Sequence, residues 1–315
     1  FVLIFWFNLL LLQFRMDQLR NSLFLLLFIT LVLRNACTDA QQQQPVFTLP
    51  LSSGPLSIAI DPTTSYLFVS EPHNNRVLSF GSVFGLNSTS RPRVVFGQTD
   101  FNSTQANQGR ASPSKKTLSN PTGIFVDRSG TLWVADSMNL RVLAFRSAST
   151  LPTDAAASVV FGQPNFTTSA SIYPPTAASF YFPVGVYVDA SGTLFVADSA
   201  YARVLVFKNA ASLPFGTNAT SVLGQQNFSD ISLGCSAVKL RDPIAVTGTV
   251  GDALLVADSG NNRVVRSFLL IIFFFSPPLP QKRWLTVFFL RSCITQEHRH
   301  KSLAVQHHMH SCRRT

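Results

Sequence analysis

Between about residues 55 and 267 the chain keeps one rhythm: a short apolar run, a polar turn, another apolar run. The runs are four to six residues long and rich in Val, Ile, Leu and Phe, as in Leu132-Trp-Val-Ala135 and Arg203-Val-Leu-Val-Phe207. Gly, Asp, Ser and Asn punctuate them. That pattern predicts short strands joined by tight turns, with Ser129-Gly130 and Ser191-Gly192 marking two of the turns. The runs are continuous more than alternating. Strands of that kind are covered on both faces, so each sheet must lie between two others.

The rhythm is a repeat. Pro55-Leu-Ser-Ile-Ala-Ile-Asp61, Tyr66-Leu-Phe-Val-Ser70 and Asn75-Arg76-Val77-Leu78 form the first unit. Pro121-Thr-Gly-Ile-Phe-Val-Asp127, Leu132-Trp-Val-Ala-Asp136 and Arg141-Val-Leu-Ala-Phe145 form the second. Pro183-Val-Gly-Val-Tyr-Val-Asp189, Leu194-Phe-Val-Ala-Asp198 and Arg203–Phe207 form the third. Pro243-Ile-Ala-Val246, Leu254-Leu-Val-Ala-Asp258 and Asn262-Arg263-Val264-Val265 form the fourth. The Arg recurs after 65, 62 and 60 residues. Val95-Phe-Gly-Gln98 returns as Val160–Gln163 and as Val222-Leu-Gly-Gln225 at the first two of those intervals, so it belongs to the same unit. Each full unit thus carries four strands. Four-stranded sheets stacked face to face around an axis make an all-β β-propeller, with three full blades and three strands of a fourth.

Pro-x-Gly-[Ile/Val]-x-Val-Asp, Leu-x-Val-Ala-Asp-Ser and Asn-Arg-Val together resemble the NHL repeat, over about residues 45–267. Departures are Ser70-Glu71 in place of Ala-Asp, Tyr201-Ala202 in place of the Asn pair, and the missing Asp at the end of the fourth unit's first strand. The resemblance implies a ring that commonly closes with six blades. The expectation is therefore a truncated ring, with Val46–Leu49 as a stray outer strand.

The ends read differently. Met16 opens a better start than Phe1, and the run Leu23–Leu33 is eleven residues. That suits a signal-peptide core of ~7–15 residues and falls short of the ~20 of a membrane span. Residues 1–40 are expected to be leader and signal, with Gln41 as the new terminus. An uncleaved anchor is the rival reading, and a membrane enters the picture only with it. After Ser267 the pattern stops and a run of Phe, Leu, Ser and Pro begins, residues with pyrimidine-rich codons, closing at Gln281. Residues 268–315 therefore read as a basic non-propeller tail and as a candidate translated intron. His298, His300, His307, His308, His310, Cys293 and Cys312 lie there without the spacing of a zinc site. No metal and no cofactor is expected.

The net charge of +10 changes little once it is located. Residues 41–267 hold fifteen Lys and Arg against twelve Asp and Glu, while the tail holds seven against one. A nucleic-acid face needs basic residues gathered on the folded body, so nucleic acid is not an expected partner. Cys235 is alone among residues 41–267 and Cys37 leaves with the signal, which implies no disulfide within the propeller.

Candidate chemistry gathers at the turns between the second and third strands: Asp136, Asn139 and Arg141, then Asp198 and Arg203, then Asp258, Asn261 and Arg263. They read either as a polar ring open to a ligand or as fasteners. In the second reading each Asp takes backbone N–H groups or its own Arg. The resemblance also raises an enzyme alternative, a lyase holding zinc with His or a lactonase using Asp, Glu and Asn. His73 and Glu71 are the only His and Glu of residues 41–267, and neither reading gains a catalytic set from them. Asn87, Asn102, Asn165, Asn218 and Asn227 each open an Asn-x-Ser/Thr glycosylation signal in turn-like sequence. The sequence reading is a secreted or cell-surface propeller. It binds a protein or glycan partner through the long segments Gly97–Asn120 and Gly162–Tyr181.

Overall fold

A computed structural model describes residues 48–248 and 253–268. The expectations for the leader, the His-rich tail and the junction after Phe268 lie outside the described residues.

Among the described residues fifteen strands fall into four antiparallel sheets. Blade 1 is β1 (Ser57–Ile60), β2 (Tyr66–Glu71), β3 (Arg76–Ser82) and β4 (Val94–Phe96). Blade 2 is β5 (Pro121–Val126), β6 (Leu132–Asp136), β7 (Arg141–Phe145) and β8 (Val159–Phe161). Blade 3 is β9 (Pro183–Val188), β10 (Leu194–Asp198), β11 (Arg203–Phe207) and β12 (Ser221–Leu223). Among the described residues blade 4 shows three strands, β13 (Pro243–Gly248), β14 (Ala253–Asp258) and β15 (Arg263–Phe268). Strand order follows chain order in every sheet. This is the up-and-down blade of a β-propeller, and the three full blades with a partial fourth match the repeat count. The expected outer strand Val46–Leu49 is not formed at its described end: Thr48 and Leu49 have no regular structure. Leu49 instead packs with Leu51 on Val69, Leu78 and Phe80, where it covers apolar surface that a strand at the edge would leave bare.

Side-chain alternation explains why the runs are continuous. Successive residues of a strand point to opposite faces. On β6, Trp133 and Ala135 join Phe161, Val196 and Phe207 between blades 2 and 3. Leu132 and Val134 join Phe68, Phe96 and Ile124 between blades 1 and 2. Both faces of β6, β7, β10 and β11 are buried. A third core, with Phe195, Val206, Leu240 and Val256, joins blades 3 and 4. The Phe before the first two Gly-Gln pairs recurs in this packing. Phe96 meets Phe145 edge-on at 5.1 Å between ring centres, and Phe161 meets Phe207 at 4.9 Å. The last strands of blades 1 and 2 are thereby keyed to the third strand of the next blade.

The innermost strands approach too closely for side chains. A Cβ on Gly123 would overlap the Val184 carbonyl oxygen and stand 3.1 Å from Gly185 Cα. The obstacle is backbone, which cannot rotate away. Gly123→Ala is therefore expected to cost about 1–3 kcal/mol through overpacking. Gly85→Ala, where nothing lies within 4 Å, is expected to stay within about 0.5 kcal/mol. Chemical unfolding of the two variants beside the parent checks the contrast.

Candidate functional site

The register places the chemistry. Glu71 pairs with Arg76, Asp136 with Arg141, Asp198 with Arg203 and Asp258 with Arg263 across the β2–β3 type of hairpin. Each hairpin turns through a 3-10 segment that closes on a left-handed residue: Asn75, Leu140, Ala202 or Asn262. Asn tolerates that conformation best, which explains the second Asn of the Asn-Asn-Arg pattern. Leu140 and Ala202 occupy it without that advantage.

The turn brings the carboxylate and the guanidinium together. Nε of Arg76, Arg141, Arg203 and Arg263 donates to the carboxylate at 2.6, 2.7, 3.0 and 2.6 Å. Glu71 does in blade 1 what Asp does elsewhere. The second carboxylate oxygen accepts backbone N–H from the segment entering the blade: Ser119 for Asp136, Tyr181 and Phe182 for Asp198, Arg241 for Asp258. Asn139 and Asn261 add an amide hydrogen bond to Asp136 and Asp258, each at 2.8 Å. Tyr201 replaces that Asn in blade 3 and lies 5.0 Å from the Arg203 guanidinium instead.

The rest of these guanidinium groups is spent on the loops entering and leaving their blades. Arg141 donates to the carbonyls of Phe166, Ser114 and Thr117. Arg203 donates to Phe228 and Ser179, and Arg263 to Cys235, Ser236 and Lys239. Asp136, Arg141, Asp198 and Arg203 expose none of their side-chain surface, and Arg263 exposes a fifth. Of the two readings, these contacts are those of fasteners: each carboxylate and guanidinium is bound by its own hairpin and by the loops on either side of the blade. Burial pushes the Asp136 and Asp198 carboxyls upward, against the pull of Arg141 and Arg203 and of the hydrogen bonds they accept.

Other motif residues are fasteners too. Asp127 and Asp189 each close their turn by accepting from a Ser and a Thr two and four residues on. Desolvation works against ionisation of Asp61, but hydrogen bonds from Thr63 and Thr64 outweigh it and hold the carboxyl below the usual range. Gln98, Gln163 and Gln225 each donate to carbonyls of the preceding hairpin turn and of the loop beyond. The Gly before each has φ near +90°, and a Cβ on Gly97 would stand 2.7 Å from Leu118.

Sequence reasoning missed the acceptors at Phe101, Phe166 and Phe228, whose carbonyls receive one nitrogen of Arg76, Arg141 and Arg203. A signal existed: Gln-x-[Asp/Asn]-Phe follows the Gly at all three positions. It also missed Cys235, which is disulfide-bonded; the chain's other three cysteines lie outside the described residues. Asn87, Asn102, Asn165, Asn218 and Asn227 are all exposed. In three of them the Asn carbonyl oxygen accepts the hydroxyl two residues on: Thr89, Thr167 and Ser229. Among the described residues no group of three or more His, Cys, Asp or Glu could hold a metal ion.

The hairpin fastener, the Gly wedge and the Asp-capped turn all meet in blade 3, and there residues 180–207 match the family model of the NHL repeat. This blade is an NHL repeat. About 70% of the chain is similar to several solved structures. One is a streptogramin B lyase, at 13% identity and TM-score 0.43 over 70% of this chain and 54% of that one. Another is a virginiamycin B lyase from Staphylococcus aureus, at 15% and 0.41 over 70% and 54%. A third is in a nidogen/laminin complex, at 18% and 0.42 over 69% and 61%. The chain thus spans 54–61% of those chains. No curated protein matches it. The NHL blade and its sisters supply the scaffold, and function rests on what that scaffold displays.

Proposed function

We propose that the chain is an exported binding propeller that engages a protein partner through the loops at one end of its blades. The register defines that end. The first strand of each blade begins beside the turn joining its second and third strands, as Pro121 beside Asp136 and Pro183 beside Asp198. The loops entering β5, β9 and β13 therefore gather at that end. The observation that carries the proposal is the apolar surface these loops show. Phe101, Ile172, Tyr173, Tyr181, Leu233 and Val238 are all exposed there, Tyr173 to 77%, and Met138 joins them from a hairpin turn. Exposed aromatic and aliphatic groups gathered on loops suit a protein interface.

A pull-down from extracellular extract tests this by comparison. Tyr173→Asp and Leu233→Asp are expected to lose a protein that the parent retains. Phe84→Asp, on the β3–β4 turn at the opposite end, keeps it. Retention by all three variants, or loss by all three, overturns the assignment of the interface.

Export is checked separately. In a secreting eukaryotic host, peptide-N-glycosidase is expected to lower the mass of the secreted chain, and Asn165→Gln and Asn227→Gln are each expected to remove one glycan. A chain of unmodified mass contradicts the exported reading.

A further inference from the structure

We propose that this chain associates with a second copy of itself head to tail. The face of blade 4 turned away from blade 3 in one copy receives the first strand of blade 1 of the other.

The contact is drawn three times inside the chain. On the first strand of a blade, apolar side chains pointing back toward the preceding blade fill the seam between the two sheets. Ile124 and Val126 of β5 do so between blades 1 and 2, Val186 and Val188 of β9 between blades 2 and 3, and Val246 of β13 between blades 3 and 4. All five are buried. The register gives Ile58 and Ile60 of β1 the same places. Ile58 lies opposite Val69 as Ile124 lies opposite Val134 and Val186 opposite Val196. Yet Ile58 is 67% exposed and Ile60 50%, and Leu56 beside them is exposed as well.

The other side of the seam recurs too. Ala135 pairs with Val142 in blade 2 and Ala197 with Val204 in blade 3, and all four are buried in the seam with the following blade. Blade 4 repeats the pair as Ala257 and Val264, with Leu255 at the place of Phe195. Here Val264 is 61% exposed, and Leu255 and Ala257 are only half-buried. Blade 1 thus presents the knobs and blade 4 the seat of one interface.

That complementarity names the occupant. Each face is the partner the other lacks, so a second copy supplies both, and joining them removes apolar surface from water as the internal seams do. The contact is heterologous, blade 4 to blade 1, and not a face meeting its own twin. Two features make it weaker than an internal seam. Arg266 stands on the blade 4 face at the place of Val206. Leu49 and Leu51 already pack on Val69 and Leu78, which confines docking on blade 1 to its innermost strand. Innermost strands are also where blades come closest within the chain, as Gly123 does to the Val184 carbonyl. Association is therefore expected at micromolar concentration.

Sedimentation of the full chain in that range is expected to give an average mass ~2-fold the monomer's or more, as a closed pair or a longer head-to-tail series requires. Ile58→Glu spoils the blade 1 face and Val264→Glu the blade 4 face. Both positions are exposed, so both variants are expected to keep the parent's urea midpoint. Each alone is expected to sediment as a monomer. Their equimolar mixture retains one intact face of each kind and is expected to form pairs and nothing larger. Tyr173→Asp, on the loop entering β9, is expected to associate as the parent does, which separates this contact from the loop interface proposed above. A monomeric parent, a face variant that associates as the parent does, a mixture no heavier than its parts, or loss of association in Tyr173→Asp would overturn the proposal.

Discussion

Arg141→Ala is expected to destabilise the fold by about 3–5 kcal/mol, the cost of leaving a buried charge without its partner. The reason is the number of groups the guanidinium serves. Its loss strands the Asp136 carboxylate, which no water reaches, and frees the carbonyls of Phe166, Ser114 and Thr117. Two of those carbonyls belong to the loop entering blade 2 and one to the loop leaving it. The substitution therefore loosens both connections as well as the hairpin. Arg263→Ala removes an equivalent pair whose guanidinium is one-fifth exposed, so water replaces part of what is lost. Its expected cost is smaller. Urea midpoints of the two variants, with the slope held equal to the parent's, give the comparison.

Phe161→Ala is expected to cost a similar ~3–5 kcal/mol, the range for truncating a buried Phe. Phe161 is fully buried, meets Phe207 edge-on at 4.9 Å and lies 6.1 Å from Trp133. Its pocket is built from two sheets whose strands are hydrogen-bonded, so the surroundings collapse little into the space. The loss acts between blades 2 and 3, whereas that of Arg141 acts within blade 2. Phe84→Ala, at a turn where Phe84 is 90% exposed, is expected to stay within about 0.5 kcal/mol. Thermal unfolding of both variants separates core from surface.

Much of this architecture was legible in the chain. The apolar runs gave the strands, their continuity gave burial on both faces, and the spacing of the Arg gave the blade count. Both readings of the Asp and Arg residues were open, because an ion pair across a hairpin and a polar ring at a rim need the same residues at the same spacing. Only depth separates them, and depth follows from the loops that close over each turn. Those loops act through backbone carbonyls, as at Ser114 and Thr117, where residue type carries no signal. Glu71 looked like a departure from the repeat. It completes the same pair because its longer side chain still reaches Arg76 Nε at 2.6 Å. The unpartnered, buried Oε1 of Gln98 was invisible for a related reason. All three Gln are alike in sequence, and what distinguishes them is whether a neighbouring N–H or ammonium arrives at Oε1. The path of Leu49 follows its packing on Val69 and Phe80, a tertiary demand that outweighs a local strand preference.

The central claim is that the repeated carboxylate and Arg are one internal fastener, and a double-mutant cycle on Asp198 and Arg203 tests it most directly. Asp198→Asn, Arg203→Met and the double variant are unfolded in urea beside the parent. The fastener predicts that the double variant loses less than the two singles together, with a coupling toward the upper end of the ~0.5–3 kcal/mol range for residues in one network. Losses that add to within about 0.5 kcal/mol, as they do for residues with no shared partner, would contradict it.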